Sequence, residues 1–193
     1  MRTRILRAVL RVIGSEGIGG VTNRRIAKEA GVSLGSITYH FETQHELLRE
    51  SLLLFVREET ARLTALARQR RTGSVERAAE LVEELVEGVA LNTTFGGEEL
   101  APLELYVHAG RDPALRDAAR ECFAAYDEVA LTVLSGLGAA EPERLTGPVV
   151  ALIAGLQLRR LATGTAGDTG IADALTMLVG TFLPTGTARR GGT

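Results

Sequence analysis

The stretch Thr22-Asn23-Arg24-Arg25-Ile26-Ala27-Lys28-Glu29-Ala30-Gly31-Val32-Ser33-Leu34-Gly35-Ser36-Ile37-Thr38-Tyr39-His40-Phe41 decides how the chain is read. Thr22 is a good N-cap, and Val21 before it with Ile26 four residues after it have hydrophobic-staple spacing. Ile26, Ala27 and Ala30 then face inward over two turns, and Gly31 supplies a helix stop. Ser33 caps again, with Val32 and Ile37 repeating the staple, so Leu34–His40 reads as a second short helix. Only Gly31-Val32-Ser33 separates the two. Two short helices joined by a tight, glycine-containing turn make a helix-turn-helix, here over 21–40.

Helical signals continue on both sides. Before the motif, Ile5, Val9, Val12 and Ile13 fall on one stripe at i, i+4, i+7 and i+8, with Arg4, Arg7 and Arg11 on the other side. Gly14, Gly17 and Gly19-Gly20 end that first helix. After the motif, Thr43-Gln44-His45-Glu46 has the form of a capping box and opens a long helix through Leu47, Leu48, Leu52, Phe55, Val56, Leu63 and Leu66 to about 71. Further helices are expected from Ser74, over 98–110, from Asp112-Pro113 to about 137, from Glu141-Pro142 to about 163, and over 171–183; aspartate or glutamate before proline suits a helix start. No segment alternates as a strand does. The expected fold is all-α, about nine helices in total. It has an N-terminal three-helix helix-turn-helix domain over 1–45 and a helical ligand-binding and dimerisation domain over 46–183, joined by the long fourth helix. Residues 184–193, almost without apolar side chains, are expected to be a disordered tail.

Composition narrows the function. The 193 residues are 45 % hydrophobic but only 4 % aromatic, without tryptophan, so the core must be aliphatic. One cysteine, Cys122, rules out an internal disulfide and any multi-cysteine metal site. Arginines are spread through the apolar positions of the N-terminus, unlike a secretion signal. The longest apolar run, Pro148 to Leu156, is far below a membrane span. The expected location is the cytoplasm. The net charge of −2 hides a split: residues 1–71 hold 13 Lys+Arg against 7 Asp+Glu, and the remainder 9 against 17. A basic front half on an acidic back half fits a polyanion partner for the front alone.

The helix-turn-helix fits that partner. Its second helix enters the major groove while the first crosses the backbone. Thr22, Asn23 and Arg24 stand where helix N-terminal amides and a cation can hold phosphate. Ser33 caps the second helix and is a further phosphate candidate. Leu34, Gly35, Ser36 and Thr38 face outward with small side chains that let the backbone approach bases, and Tyr39 and His40 end the helix with polar tips suited to phosphate oxygens.

On Ile26-Ala27, Ala30-Gly31-Val32-Ser33, Gly35, His40-Phe41 and Leu47, the chain resembles the TetR family of bacterial transcriptional regulators. The resemblance is specific over residues 1–58 and architectural beyond them. Two positions depart from the family pattern: Thr38 stands where the family usually has tyrosine, and Gln44 where it usually has lysine. Both family residues normally touch phosphate, so the resemblance makes Gln44 a further phosphate candidate. The uncharged amide should lower the salt dependence by roughly one counterion per subunit. Thr38 can instead offer its methyl to a thymine.

Such motifs usually work in pairs, two recognition helices lying ~34 Å apart on a near-palindrome. In the helix from Pro142, Leu145, Val149, Leu152 and Leu156 form one apolar stripe, and Val150, Ala154, Leu158 and Leu161 a second. A helix apolar on both sides is buried on both sides, and in a chain this small the second side meets another subunit. Leu175, Leu178 and Phe182 add to that face. The resemblance implies a homodimer, and a pocket in the helical body whose small-molecule inducer changes the spacing of the recognition helices. Candidate lining residues are Leu81, Leu85, Phe123 and Leu156, with Asn92, Tyr106, His108, Cys122, Tyr126 and Gln157 as polar candidates. Their scarcity of charge fits a small, mostly apolar or neutral ligand.

An enzyme would need a reactive constellation. His40, His45 and His108 are not spaced as metal ligands, Cys122 has no histidine near it in sequence, and no phosphate-binding or nucleophile motif is present. The expectation is no catalysis, no metal and no cofactor. The leading reading is an operator-binding repressor released by an inducer. The alternative is a DNA-binding regulator without a small-molecule ligand, gated by a partner protein or constitutive.

Overall fold

The structure, a computed structural model, describes residues 1–69, 97–164 and Met177. Among them are α1 (Arg2–Glu16), α2 (Asn23–Ala30), α3 (Leu34–His40), α4 (Gln44–Gln69), α5 (Gly97–Ala109), α6 (Pro113–Gly136) and α7 (Pro142–Thr163), with a 3₁₀ turn over Ile18–Gly20 and no strand. The all-α expectation holds. The helices expected from Ser74 and over 171–183, and the tail over 184–193, lie outside the described residues. The chain divides into two compact units, one drawn from Met1–Arg62 with Asn92–Tyr126, the other from Leu63–Leu91 with Asp127–Thr193.

In the first unit α1 is the central rod. Ile5, Val9, Val12 and Ile13 are wholly withdrawn from solvent, as the stripe requires. α2 and α5 pack along α1. Ile26, Ile37, Leu47, Leu52, Leu105 and Leu115 complete one aliphatic core. α1 runs through Gly14 and ends at Gly17, whose φ of 73° is a conformation that favours glycine. The Glu104 carboxylate on α5 accepts from the Ile18 N–H at 2.9 Å and fixes the turn that follows.

The predicted caps form. Thr22 Oγ1 accepts from the Arg25 N–H at 3.2 Å, and Ser33 Oγ from the Ser36 N–H at 3.1 Å. Gly31 closes α2 in the left-handed region, φ 61° and ψ 44°, and the Val32 N–H reaches back to the Ala27 carbonyl at 3.0 Å. At α4, Thr43 Oγ1 accepts from the Glu46 N–H at 3.1 Å. The return bond of the capping box shifts by one residue: Glu46 Oε2 takes the Glu42 N–H at 2.9 Å. Asp112 Oδ1 caps α6, accepting from the N–H groups of Ala114 at 3.0 Å and Leu115 at 3.4 Å.

Ion pairs bind α1 to its neighbours. Arg11 meets Glu29 at 2.9 Å, and Arg25 meets Glu16 at 2.6 Å and Glu29 at 3.0 Å. Arg7 meets Glu58 at 3.0 Å and Arg2 meets Glu50 at 3.2 Å. In the second unit, Leu145 and Val149 of α7 are buried, whereas Leu152 and Leu156 are half-buried and Leu158 is 50 % exposed.

Ile26→Ala should lower stability by about 2–5 kcal/mol, the cost of a core cavity, and Gly31→Ala by about 1 kcal/mol, because an added side chain strains a positive φ. Urea unfolding should show lower midpoints with unchanged slope. The guanidiniums of Arg11 and Arg25 hold the Glu29 carboxyl below its ordinary range. Its contribution is therefore complete above that range and is lost as pH falls through the depressed folded value. The stability gap between the wild type and Glu29→Gln should be full at about pH 6 and should shrink below about pH 4.

Candidate nucleic-acid interface

α3 is seven residues long, too short to persist alone. Ile37, wholly buried, is its single deep anchor. The other side chains remain outside. Leu34 is 53 % exposed and Tyr39 84 % exposed. Gly35 and Thr38 are exposed, while Ser36 and His40 are half-buried. A methyl added at Gly35 would meet nothing closer than Ser33 Oγ at 3.9 Å, so the open space continues over this residue. The polar groups are ordered locally: Ser33 Oγ and Ser36 Oγ lie 2.8 Å apart, and the Thr38 hydroxyl donates to the Gly35 carbonyl at 3.2 Å. With Oγ1 so turned, Thr38 keeps a methyl available for an apolar contact. The Tyr39 ring meets His40 edge-on at 5.1 Å.

At the start of α2, Thr22, Asn23 and Arg24 are all exposed. The Thr22 side chain satisfies the Arg25 amide and leaves those of Asn23 and Arg24 without an intrahelical acceptor, as at any helix start. Arg24 and Lys28 are exposed and have no ion-pair partner among the described residues. Four residues apart, they share one face of α2. Lys28 is absent from the sequence-derived set, although its spacing from Arg24 was the available signal. Arg25, next in sequence, is instead held by Glu16 and Glu29. Gln44 is also committed internally: its Nε2 donates to the Val21 carbonyl at 2.8 Å.

Of the pocket candidates, Leu81, Leu85 and Asn92 lie outside the described residues. Tyr106, Cys122, Phe123 and Tyr126 gather on α5 and α6 within the first unit. The Tyr106 and Phe123 rings meet at a tilt of 37°, their centroids 4.9 Å apart. The Tyr106 hydroxyl is buried beside the Cys122 thiol and the Tyr126 hydroxyl, yet completes no hydrogen bond. Burial raises the pKa of both tyrosines and pushes the Cys122 thiol up to about 12. All three groups are therefore neutral donors at physiological pH. His108 is half-buried on α5, and Leu156 and Gln157 are half-buried on α7. Among the interface candidates, Leu175, Leu178 and Phe182 lie outside the described residues. No group of three or more His, Cys, Asp or Glu is placed to hold a metal among the described residues.

An anchored, outward-facing α3 behind a capped and basic α2 defines a helix-turn-helix DNA-binding protein. The sequence matches the family profile described as "Bacterial regulatory proteins, tetR family" over residues 5–51, and "Tetracyclin repressor-like, C-terminal domain" over residues 73–183. The chain belongs to the TetR family of DNA-binding transcriptional regulators. It is 42 % identical over 66 residues to the HTH-type transcriptional regulator PksA of Bacillus subtilis, spanning 34 % of this chain and 32 % of PksA. It is 27 % identical over 171 residues to the HTH-type transcriptional regulator BetI of Pseudomonas aeruginosa, spanning 87 % of this chain and 85 % of BetI. Among solved structures, the multidrug binding protein EbrR complexed with malachite green has a TM-score of 0.69 at 31 % identity, over 92 % of this chain and 97 % of that one. Its relatives are regulators, and the chain is not an enzyme.

Arg24→Ala should weaken binding about equally on all duplexes and lower the salt slope by about one counterion, whereas changes at Leu34 or Ser36 should alter sequence preference. Competition binding between sequences checks the division; an equal loss of preference from both kinds of change would contradict it. In the folded protein, Cys122 should react with iodoacetamide about a thousandfold more slowly than in the unfolded chain at pH 8, since thiolate is the reactive form.

Proposed function

We propose that the chain is a repressor that binds a near-palindromic operator as a homodimer in the cytoplasm and is released by a small-molecule inducer. The observation that carries this reading is the outward face of α3, with only Ile37 deeply buried and Leu34, Gly35, Thr38 and Tyr39 open to solvent. In the assignment that follows, Leu34, Gly35, Ser36 and Thr38 face base edges. Thr22, Asn23, Arg24, Ser33, Tyr39 and His40, joined by Lys28, engage phosphate and sugar. Gln44 supports the turn before α2, and its remaining amide hydrogen is its only donor left for the backbone of the duplex.

A single α3 buries little groove surface, so two copies are needed for a stable complex. The pairing surface follows from what α7 leaves uncovered. Leu145 and Val149 are taken up within the chain, so the proposed partner-facing positions are Leu152 and Leu156, half-buried farther along that stripe, and Leu158 on the second stripe, with Leu175, Leu178 and Phe182 as further candidates outside the described residues. α7 reaches the length and mean hydropathy of a membrane span. Its uncharged stretch between Arg144 and Arg159, however, is only about 21 Å long, short of a ~30 Å hydrocarbon layer. A half-covered apolar helix of this kind suits a subunit interface.

The inducer is expected to be uncharged or mostly apolar. The tilted Tyr106–Phe123 ring pair offers an aromatic wall, and the Tyr106 hydroxyl offers a donor that the protein itself leaves unused. EbrR, described as a multidrug binding protein and solved with ethidium, proflavin and malachite green, supports a ligand role for this body. For release, the inducer must prefer the conformation whose recognition helices no longer match the operator.

The test is selection of duplexes from a random-sequence pool, followed by footprinting and ligand challenge. Two protected half-sites about one helical turn apart are expected, together with release by at least one neutral aromatic compound. Leu152→Glu and Leu158→Glu should sediment as monomers and lose the paired footprint. Intact dimers in both variants would place the interface elsewhere, and a footprint that no compound releases would remove the inducer from the reading.

A further inference from the structure

The first turn of α4 is tied to two neighbours by two consecutive side chains. Gln44 Nε2 donates to the Val21 carbonyl at 2.8 Å, and Val21 immediately precedes Thr22, the cap of α2. His45 Nε2 lies 3.1 Å from Asp112 Oδ2. Asp112 is buried and its other oxygen, Oδ1, caps α6. Consecutive residues on a helix point about 100° apart, which lets one turn reach both partners. The two capping bonds to Oδ1 orient the Asp112 carboxylate, so Oδ2 offers a defined position to the His45 ring, whose side chain is otherwise 67 % exposed. The path runs from the start of α6 through Asp112 and His45 to α4, and from Gln44 through Val21 to the start of α2.

We propose that Asp112, His45 and Gln44 are positioning residues for DNA recognition, which set the start of α2, and with it the helix-turn-helix, from the first turn of α6. None of the three lies in α3, and this role rests on the DNA-binding function of the family. The position of α6 thereby becomes an input to operator affinity. The Glu104 bond to the Ile18 N–H holds the opposite end of the same turn region and leaves the Gln44 contact to govern its junction with α2.

The experiment uses the full-length chain and the tightest duplex that the wild type enriches from a random-sequence pool. Asp112→Ser keeps an N-cap for α6 but is too short to reach His45. Gln44→Ala removes the contact to Val21. Each should weaken binding about three- to tenfold, and the double variant should be no weaker than about the worse single one, because both cut one path. His45→Gln, whose amide can donate to Asp112, should restore most of the affinity that His45→Ala loses. Melting temperatures are measured alongside, and the affinity losses should persist well below them. Multiplicative losses in the double variant, single variants that bind like the wild type, or His45→Gln as weak as His45→Ala would each overturn the path. A wild-type chain that enriches no duplex would overturn the DNA-binding reading and this inference with it.

Discussion

The buried side chain of Ile37 fixes the position of α3 in the protein. A seven-residue helix has little stability of its own, and what holds α3 is one apolar side chain driven into the aliphatic core beside α2. Ser33 at its start and Phe41 at its end complete the attachment: the Ser33 hydroxyl closes the first turn, and Phe41 is buried. Because the fixing force acts through one face, the other faces need carry no apolar burden. Gly35, Ser36 and Thr38 can stay small, and small side chains let a helix approach base edges closely. The proposed DNA-reading positions thus lie on different faces from the one that holds the same seven residues in place.

The charge pattern is resolved in a similar way. The basic excess of the front half is read at first as one polyanion-binding surface. In the fold, Arg2, Arg7, Arg11 and Arg25 are spent on Glu50, Glu58, Glu29 and Glu16, binding α1 to α2 and α4. Such partly exposed pairs are worth little singly. Their larger effect is to remove cations from the field, so that Arg24 and Lys28 stand out on the face of α2. A uniformly basic surface would hold any nucleic acid in any pose; two cations without an ion-pair partner among the described residues, beside a capped helix start, would favour one orientation.

Local chemistry made most of this legible in the sequence. Thr22, Ser33, Thr43 and Asp112 announce helix starts because a capping side chain acts within three residues of itself, and Gly31 announces a stop for the same reason. The stripe of Ile5, Val9, Val12 and Ile13 is legible because burial follows the helical period. What escaped is long-range and polar. Gln44 finds Val21, His45 finds Asp112 and Glu104 finds Ile18, and no periodicity relates those positions. Gln44 in particular is a phosphate candidate only through the family resemblance, and the fold shows its amide turned toward a carbonyl. Leu145 and Val149 show the limit of stripe reading: apolar spacing identifies a buried face without saying whether the same chain or another covers it.

Tyr39 and Leu34 stand largely in water when the protein is free. Docking against sugars and thymine methyls would dehydrate these apolar surfaces, and the heat capacity of the complex must then fall below that of its separated parts. On the proposed docking, the enthalpy of DNA binding would change steadily on warming and the affinity would trace a curved van 't Hoff plot with an optimum temperature, a thermal signature that phosphate contacts alone would not produce.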